Sequence, residues 1–172
     1  MNDRTAGPAD DAPWDSARYL REILRAPVYE ASEHTPLQVM ATLSARVGST
    51  VEVKREDLQA VHSFKIRGAY NAMRSLTDAQ RARGVVTASA GNHAQGVARS
   101  ASVLGVRATI VMPTVTPRIK IDAVRSLGGE VLLRGENFDA AKAEAQRLSE
   151  VESLTFIAPF DDPRVIAGQG TI

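Results

Sequence analysis

A lysine between two apolar residues is the first group in the sequence that suggests a reaction. Lys65 lies in the stretch Ser63 to Ala69, between Phe64 and Ile66, where an apolar-periodic helix is predicted to begin. Burial beside apolar side chains lowers the pKa of a lysine and favours the neutral amine that forms a Schiff base with a carbonyl compound. An ordinary surface lysine on an amphipathic helix fits the same pattern, and most lysines are of that kind.

A second stretch, Thr87 to Gly96, follows a predicted strand and opens a predicted helix. Ligands of open α/β sheets bind at that edge, and the first amide groups of a helix attract a carboxylate or a phosphate. Gly91 lets a ligand approach the backbone closely, while Ser89 and Asn92 supply short polar side chains. A plain strand-to-helix turn with a good cap explains these residues equally well.

Several other kinds of site are not indicated by the sequence. Gly91 and Gly96 are followed by Val97-Ala98, where a phosphate-binding P-loop needs lysine and serine or threonine. No G-x-G-x-x-G follows a strand, and no G-x-S-x-G is present. No metal site is predicted, because the histidines are too scattered; they are His34, His62 and His93.

Strand and helix patterns alternate in the second half of the chain. The predicted strands are 85–89, 108–112, 131–133 and 154–158. The three intervening helices are predicted to bury, in order, Ala94, Val97, Ala98, Ala101 and Leu104; then Ile119, Ala123, Val124 and Leu127; then Phe138, Ala141, Ala145 and Leu148. The second of these helices should start with Thr116 as its N-cap and Pro117 as its first residue. This alternation predicts an α/β fold, a parallel sheet with flanking helices.

The first half of the chain carries fewer regular patterns. Residues 1–13 are predicted to be disordered, and Asp15 should cap a helix that Pro27 stops. Further on, the sequence predicts a helix 41–47 that ends at Gly48, a strand through Val51 and Val53, and a capping box of Thr77 with Gln80.

The composition of the chain limits the kinds of binding partner that can be expected. It has 172 residues, 21 Lys and Arg against 20 Asp and Glu, and no cysteine. A net charge of +1 gives no strong attraction to nucleic acid or to acidic membranes, and no long apolar run predicts a membrane span. Without cysteine there are no disulfides and no thiolate nucleophile. A cytoplasmic protein is expected.

Several motifs, taken in order, resemble those of the biosynthetic threonine ammonia-lyases, also called threonine dehydratases. This family belongs to the second fold type of pyridoxal-phosphate (PLP) enzymes, the tryptophan synthase β-like fold. The resemblance extends from about Tyr19 to Ile172. The motifs that carry it are Arg25 to Tyr29, Thr35 to Leu37, Val53 to Asp57, Ser63 to Ala69, Ser89 to Gly96, Ile110 to Pro113, Gly128 to Val131 and Ile166 to Thr171.

The resemblance implies roles for the residues of both stretches. Lys65 matches the lysine that binds pyridoxal 5'-phosphate covalently and later takes the Cα proton of the substrate. Asn92 matches the asparagine that hydrogen-bonds the cofactor's 3-hydroxyl, and Phe64 is expected to pack near the cofactor. The segment that seats the substrate carboxylate corresponds to Ser89, Ala90, Gly91, Asn92 and His93. Racemases of this fold type carry serine in place of Ala90, so elimination is expected rather than racemisation.

The resemblance also implies a reaction and a domain plan. The reaction is deamination of L-threonine to 2-oxobutanoate and ammonia for isoleucine synthesis. Residues 14–84 would begin the larger cofactor domain, 85–160 would form the smaller α/β domain, and 161–172 would return to the larger one, truncated at Ile172. The family's phosphate-binding loop and the partner of the pyridine nitrogen lie beyond this point, and full-length relatives are expected to be homo-oligomers.

Two other interpretations of the function remain open from the sequence. A serine dehydratase or a serine racemase would share the chemistry of Lys65. A chain without the phosphate-binding loop could instead be a non-catalytic remnant with little or no lyase activity.

Overall fold

The N-terminal part of the chain combines two helices with a two-stranded antiparallel sheet. The structure, a computed structural model, describes residues 13–172, so the predicted disorder of 1–13 lies outside it except for Pro13. Helix α1 is Ser16–Arg25, and the Asp15 carboxylate accepts from the Arg18 amide at 2.7 Å, as predicted. Strands β1 (Leu37–Val39) and β2 (Glu52–Lys54) pair with each other and are connected by helix α2 (Ala41–Val47). Strand β1 was not predicted from the sequence.

Two helices lead from this hairpin to the main sheet. Helix α3 is Lys65–Arg74 and buries seven of its ten residues. Helix α4 is Asp78–Arg83, and the predicted capping box is confirmed, because the Thr77 hydroxyl accepts from the Gln80 amide while the Gln80 side chain accepts from the Thr77 amide. No helix between residues 13 and 172 is both long and apolar enough to cross a membrane.

The main sheet has four parallel strands in the order β5-β4-β3-β6. The strands are β3 (Val85–Ala88), β4 (Ala108–Met112), β5 (Glu130–Leu133) and β6 (Thr155–Phe156). They alternate with helices α5 (Asn92–Leu104), α6 (Arg118–Ser126), α7 (Phe138–Val151) and α8 (Pro163–Gln169). The predicted parallel sheet with flanking helices is therefore confirmed.

Apolar residues form a separate cluster on each face of this sheet. Val85 and Ile110 pack on one side in a cluster with α3, α5 and α6, whereas Val86 and Val111 pack on the other side with α7. Successive residues of a strand face opposite ways, so each buried strand supplies both clusters. The sheet is thus covered on both faces, as is usual for parallel strands.

The start of α6 differs from the prediction. Pro117, not Thr116, is the N-cap residue, and the helix begins at Arg118. The Thr116 amide donates to the Pro113 carbonyl in a turn, and its hydroxyl is buried without a hydrogen-bond partner among the described residues. Thr116 is therefore part of a turn before α6 and does not cap the helix. Ile119, predicted to be buried, is 78% exposed, because it lies about 200° around the helix from buried Ile121.

A predicted buried face and a predicted strand each include residues that the structure leaves out. Phe138 is 45% exposed at the first position of α7, whereas Ala141, Ala145 and Leu148 are buried as predicted. Strand β6 covers only two residues of the predicted 154–158. The main chain of Ile157 still donates to the Val86 carbonyl at 2.9 Å, but its own carbonyl accepts from side chains, which ends the strand ladder.

Candidate active site

Lys65 is the first residue of α3, and its amine lies in partly buried surroundings. Its Nζ donates a hydrogen bond to the Pro159 carbonyl at 2.7 Å. Burial lowers the pKa of Lys65 below its ordinary value, the direction predicted for a lysine beside apolar residues. The Phe64 ring centroid lies 5.5 Å from Nζ, and the Phe64 side chain remains 39% exposed. The amine is therefore held on one acceptor, where partial burial makes its charged form less favourable than it is in water.

The loop from β3 into α5 contains the other predicted site residues. Ser89 is buried, and its hydroxyl accepts from the Gly91 amide at 3.2 Å. Ala90 and Gly91 are half-buried, and no atom lies within 4 Å of a Cβ added at Gly91. Asn92 is exposed at the first position of α5. The loop leaves open space beside the start of a 13-residue helix, where unpaired amides and a positive dipole end attract anions.

His93 is the buried member of this loop. It is 4% exposed, and its Nε2 lies 3.2 Å from the Ile157 carbonyl. Burial lowers the pKa of His93 to about 4; the bond to Ile157 raises it in part, and the nearby charge of Lys65 lowers it further. The imidazole is therefore neutral at pH 7. Because a carbonyl only accepts, Nε2 carries the proton, and Nδ1 is left as an acceptor without a partner among the described residues.

The two predicted stretches meet through α3 and α5 and through residues 157–159. A Cβ added at Gly96 would lie 3.0 Å from the Lys65 carbonyl oxygen, so the two helices approach closely. Lys65 binds Pro159 and His93 binds Ile157, two residues apart. The structure thus brings Lys65 near His93, while Asn92 lies at the exposed helix start. The carbonyls of 157–159 carried no signal in the sequence, because any residue type supplies one.

A buried ion pair supports the helix that carries Lys65. Arg67 is fully buried and donates from Nε and Nη2 to the two Glu56 carboxylate oxygens, each at 2.8 Å. Burial alone would raise the pKa of Glu56, but hydrogen bonds from Arg67 and Thr35 outweigh it and lower the pKa. Arg67 also donates to the Thr171 hydroxyl at 3.2 Å. The first turn of α3 is thereby tied to distant parts of the chain.

These residues suit a carbonyl-bearing cofactor with polar substituents. Lys65 offers a partly desolvated amine. Two buried polar atoms also lack hydrogen-bond partners among residues 13–172. They are Ser63 Oγ, which is close to Lys65 in the chain, and His93 Nδ1, which is close to it in space. The start of α5 offers amides to an anion. No group of three or more potential metal-ligating side chains occurs in the described part of the chain. The donor set fits pyridoxal phosphate, which a lysine binds through its aldehyde.

Together, a parallel sheet, a helix that begins with a desolvated lysine and a polar loop at a strand end define a class of enzyme. The family model of pyridoxal-phosphate dependent enzymes matches residues 28–172. The chain belongs to this family.

Within the family, biosynthetic threonine dehydratases are highly similar. The L-threonine dehydratase biosynthetic IlvA of Escherichia coli K12 is 62% identical over 165 residues, which are 96% of this chain and 32% of that protein. The chloroplastic threonine dehydratase 2 of Solanum lycopersicum is 52% identical over 172 residues, 28% of its length. The chain thus spans about a third of the curated relatives it matches.

Solved structures have the same fold. Processed threonine deaminase isoform 2 of Solanum lycopersicum superimposes with a TM-score of 0.88 at 54% identity, covering 91% of this chain and 47% of that one. Serine racemase of Dictyostelium discoideum superimposes with a TM-score of 0.81 at 35% identity, covering 88% and 50%. The predicted second fold type is therefore confirmed.

Proposed function

We propose that this chain carries the lysine and the substrate loop of an enzyme that deaminates L-threonine to 2-oxobutanoate and ammonia. The observation that supports this most directly is the desolvated Lys65 amine, held by the same short segment that holds His93 of the loop. The relatives at 52–62% identity are named threonine dehydratases. The catalytic and binding roles given below are part of the proposal.

In this proposal the residues of the chain bind the cofactor, orient the substrate and move one proton. Lys65 Nζ would hold the cofactor through its carbonyl carbon, and the freed amine would take the Cα proton of the substrate as general base. Bound pyridoxal phosphate supplies an electron sink for the carbanion that remains. The substrate's β-hydroxyl then leaves, and hydrolysis releases ammonia and the keto acid.

The loop provides the binding contacts. Asn92 would hydrogen-bond the cofactor's 3-hydroxyl, and the segment from Ser89 to His93 would seat the substrate carboxylate, for which the open space at Gly91 leaves room. Phe64 packs beside the cofactor. Ala90 has no hydroxyl to return a proton on the opposite face, which favours elimination over racemisation.

The test uses the longest natural form of the protein that contains these residues. Pyridoxal phosphate is added, the adduct is reduced with borohydride, and peptide mass spectrometry locates it; keto-acid release from threonine is followed in parallel. We expect the adduct on Lys65, with turnover lost by at least 10³-fold in Lys65→Ala. Lys120→Ala, an exposed lysine on α6, is the matched control. An adduct elsewhere, or unchanged turnover in Lys65→Ala, would contradict the proposal.

A serine-directed enzyme is the second candidate, because a serine racemase shares the fold at 35% identity. The same preparation separates the two. Release of 2-oxobutanoate from threonine supports the dehydratase, whereas formation of D-serine from L-serine without keto-acid release supports the racemase. Ala90→Ser tests the structural reason, since it restores the missing hydroxyl and should increase exchange of the Cα proton with solvent.

We also infer a cytoplasmic, homo-oligomeric enzyme with the domain division given above. The inference on location rests on the balanced charge and the absence of cysteine, and the inference on assembly rests on the family resemblance. Cell fractionation and light scattering of the longest natural form would test both.

A further inference from the structure

Residues 157–159, which follow β6, link the two halves of the candidate site. The Ile157 carbonyl accepts from the Thr87 hydroxyl at 2.8 Å and lies 3.2 Å from His93 Nε2, while the Ile157 amide donates to the Val86 carbonyl at 2.9 Å. Two residues on, the Pro159 carbonyl accepts from Lys65 Nζ at 2.7 Å. The 157–159 segment is thus anchored at its first residue and binds the amine at its last.

The anchors of this segment are costly to break. Thr87 is fully buried and His93 is 4% exposed, so loss of Ile157 as an acceptor would leave two buried donors unpaired. A carbonyl oxygen has two lone pairs, and here both are used. Pro159 adds stiffness, because its ring fixes φ. The position of the Pro159 carbonyl is therefore set by Thr87 and His93.

We propose that the 157–159 segment positions the Lys65 amine for attachment of the cofactor, and that Thr87 and His93 are the positioning residues that hold this segment. The inference rests on the proposed role of Lys65. Neither side chain needs to touch the cofactor to act in this way. Sequence motifs pointed to the loop itself, whereas this role comes from two main-chain carbonyls and the donors that bind them.

The geometry suits attachment to a carbonyl compound. In its neutral form the Lys65 amine can donate one hydrogen to Pro159 while its lone pair attacks the carbonyl carbon, and the carbonyl oxygen then leaves as water with the two amine hydrogens. Holding that amine in one orientation reduces the rotational freedom that must be lost in the reaction. Without the anchors, the amine would sample many rotamers, and the covalent bond would form more slowly.

The experiment measures the rate at which pyridoxal phosphate becomes attached to Lys65, by stopped-flow absorbance and by mass spectrometry of borohydride-quenched samples, in the longest natural form of the protein. Two matched pairs are compared. His93→Leu and Thr87→Val remove a donor to Ile157, whereas His93→Gln and Thr87→Ser keep one at a similar position. We expect attachment to slow by about ten-fold in the first member of each pair and to recover largely in the second.

Two further variants separate positioning from general loss of stability. Ser100→Ala removes an equally buried hydroxyl bond, to the Gly96 carbonyl at 2.7 Å, and should leave the rate unchanged even where urea unfolding shows a similar loss. Ala158→Gly loosens the half-buried middle of the segment without deleting a side-chain bond, so we expect it to fold. It should slow attachment about two-fold or more.

The outcomes distinguish this inference from the proposed function. If the wild-type protein attaches no cofactor at Lys65, the proposed function fails. Suppose instead that the wild-type protein attaches the cofactor at Lys65. If Ala158→Gly and every folded donor-deletion variant then attach the cofactor at the wild-type rate, the positioning role is wrong. Equal slowing in His93→Leu and His93→Gln would also overturn it, because the hydrogen bond would then not be the cause.

Discussion

Arg67 shows how much of the candidate site depends on a residue that does no chemistry. It lies two positions after Lys65, is fully buried, and binds both oxygens of Glu56. A buried charge whose partner is removed keeps its desolvation cost without compensation. The pair therefore makes the conformation of residues 56–67 highly specific even if its net contribution to stability is small.

We expect Arg67→Met to lower the free energy of unfolding by about 3–5 kcal/mol, because it leaves the buried Glu56 carboxylate without a positive partner. Arg67→Lys should cost less, since it retains the charge but not the two-pronged contact. Urea denaturation followed by circular dichroism measures both. Arg118→Ala, which removes an exposed pair with Asp122, is the control; a similar loss in that variant would contradict the argument.

The buried neutral imidazole of His93 predicts acid sensitivity. Its pKa is about 4 in the folded chain against an ordinary 6.5. Between these values the unfolded chain binds a proton that the folded chain does not, so stability is full above pH 6.5 and falls as the pH drops toward 4. The expected loss is on the order of 3 kcal/mol.

Unfolding free energies measured across this pH range check the argument. The slope should flatten in His93→Gln, which cannot titrate, and should persist in His62→Gln, which replaces an exposed histidine. An unchanged slope in His93→Gln would show that another group causes the acid sensitivity.

At the residue scale, the sequence singled out the lysine proposed to react but not the groups that hold it. Lys65 and the loop of His93 were recognisable from motifs, and the structure confirms the predicted desolvation of the lysine. Nothing in the residue types of 157–159 indicated that their carbonyls bind both groups. Main-chain acceptors are set by tertiary packing, which local patterns do not contain.

At the scale of elements, α3 is packed between α5 and α8 at two glycine contacts. On one side Gly96 lies against the Lys65 main chain, and on the other a Cβ added at Gly168 would lie 2.6 Å from the Arg67 carbonyl oxygen. Backbone atoms cannot move aside as a flexible side chain can. The absence of side chains at these two positions therefore fixes the distance of α3 from both neighbours.

This packing predicts the sign of the stability change for a glycine-to-alanine substitution at position 168. Alanine in place of a helical glycine normally gains up to about 1 kcal/mol. Gly168→Ala should instead lose about 1–3 kcal/mol, because the added methyl group overlaps the backbone of α3. Gly91→Ala, where the added carbon meets no atom within 4 Å, should leave stability nearly unchanged. Thermal unfolding compares the two, and a more stable Gly168→Ala would refute the close packing.

Sequence periodicity predicted most helices and strands closely, and the errors in burial and in strand length have a common cause. Strand β4 and helix α2 have the predicted bounds. The buried face of α6 was assigned incorrectly at Ile119, and β6 is shorter than predicted. Periodicity reports which residues are apolar, but the contact with the sheet decides which of them are buried.

At the scale of the whole molecule, apolar side chains remain exposed around the two-stranded sheet. They are Leu37 at 62%, Val39 at 54%, Leu43 at 43%, Val47 at 55% and Leu58 at 53%. Exposed apolar side chains beside unpaired strand edges promote association. The proposed larger domain is therefore less well covered than the four-stranded sheet.

We expect the 172-residue polypeptide to bind a hydrophobic dye and to self-associate. Leu37→Glu with Val39→Lys should reduce both, because each new charge faces an opposite one across the strands, at Lys54 and Glu52. Leu37→Lys with Val39→Glu has the same composition but places like charges opposite each other, so it should be as soluble but slightly less stable. Dye fluorescence and light scattering measure the effect. Unchanged dye binding would show that the exposed apolar surface that binds the dye lies elsewhere.

The contacts of α3 also have a consequence for the order in which the protein is built. Lys65 is held by a carbonyl 94 positions later in the chain, and Arg67 by a hydroxyl 104 positions later. While the ribosome is still adding those residues, α3 can already pair with Glu56 through Arg67, but it lacks these two later contacts, since such distant pairings form only after long loops close. Lys65 therefore gains its Pro159 acceptor only after residues 157–159 have been made, and a nascent chain stalled before residue 157 should not yet offer pyridoxal phosphate an ordered amine.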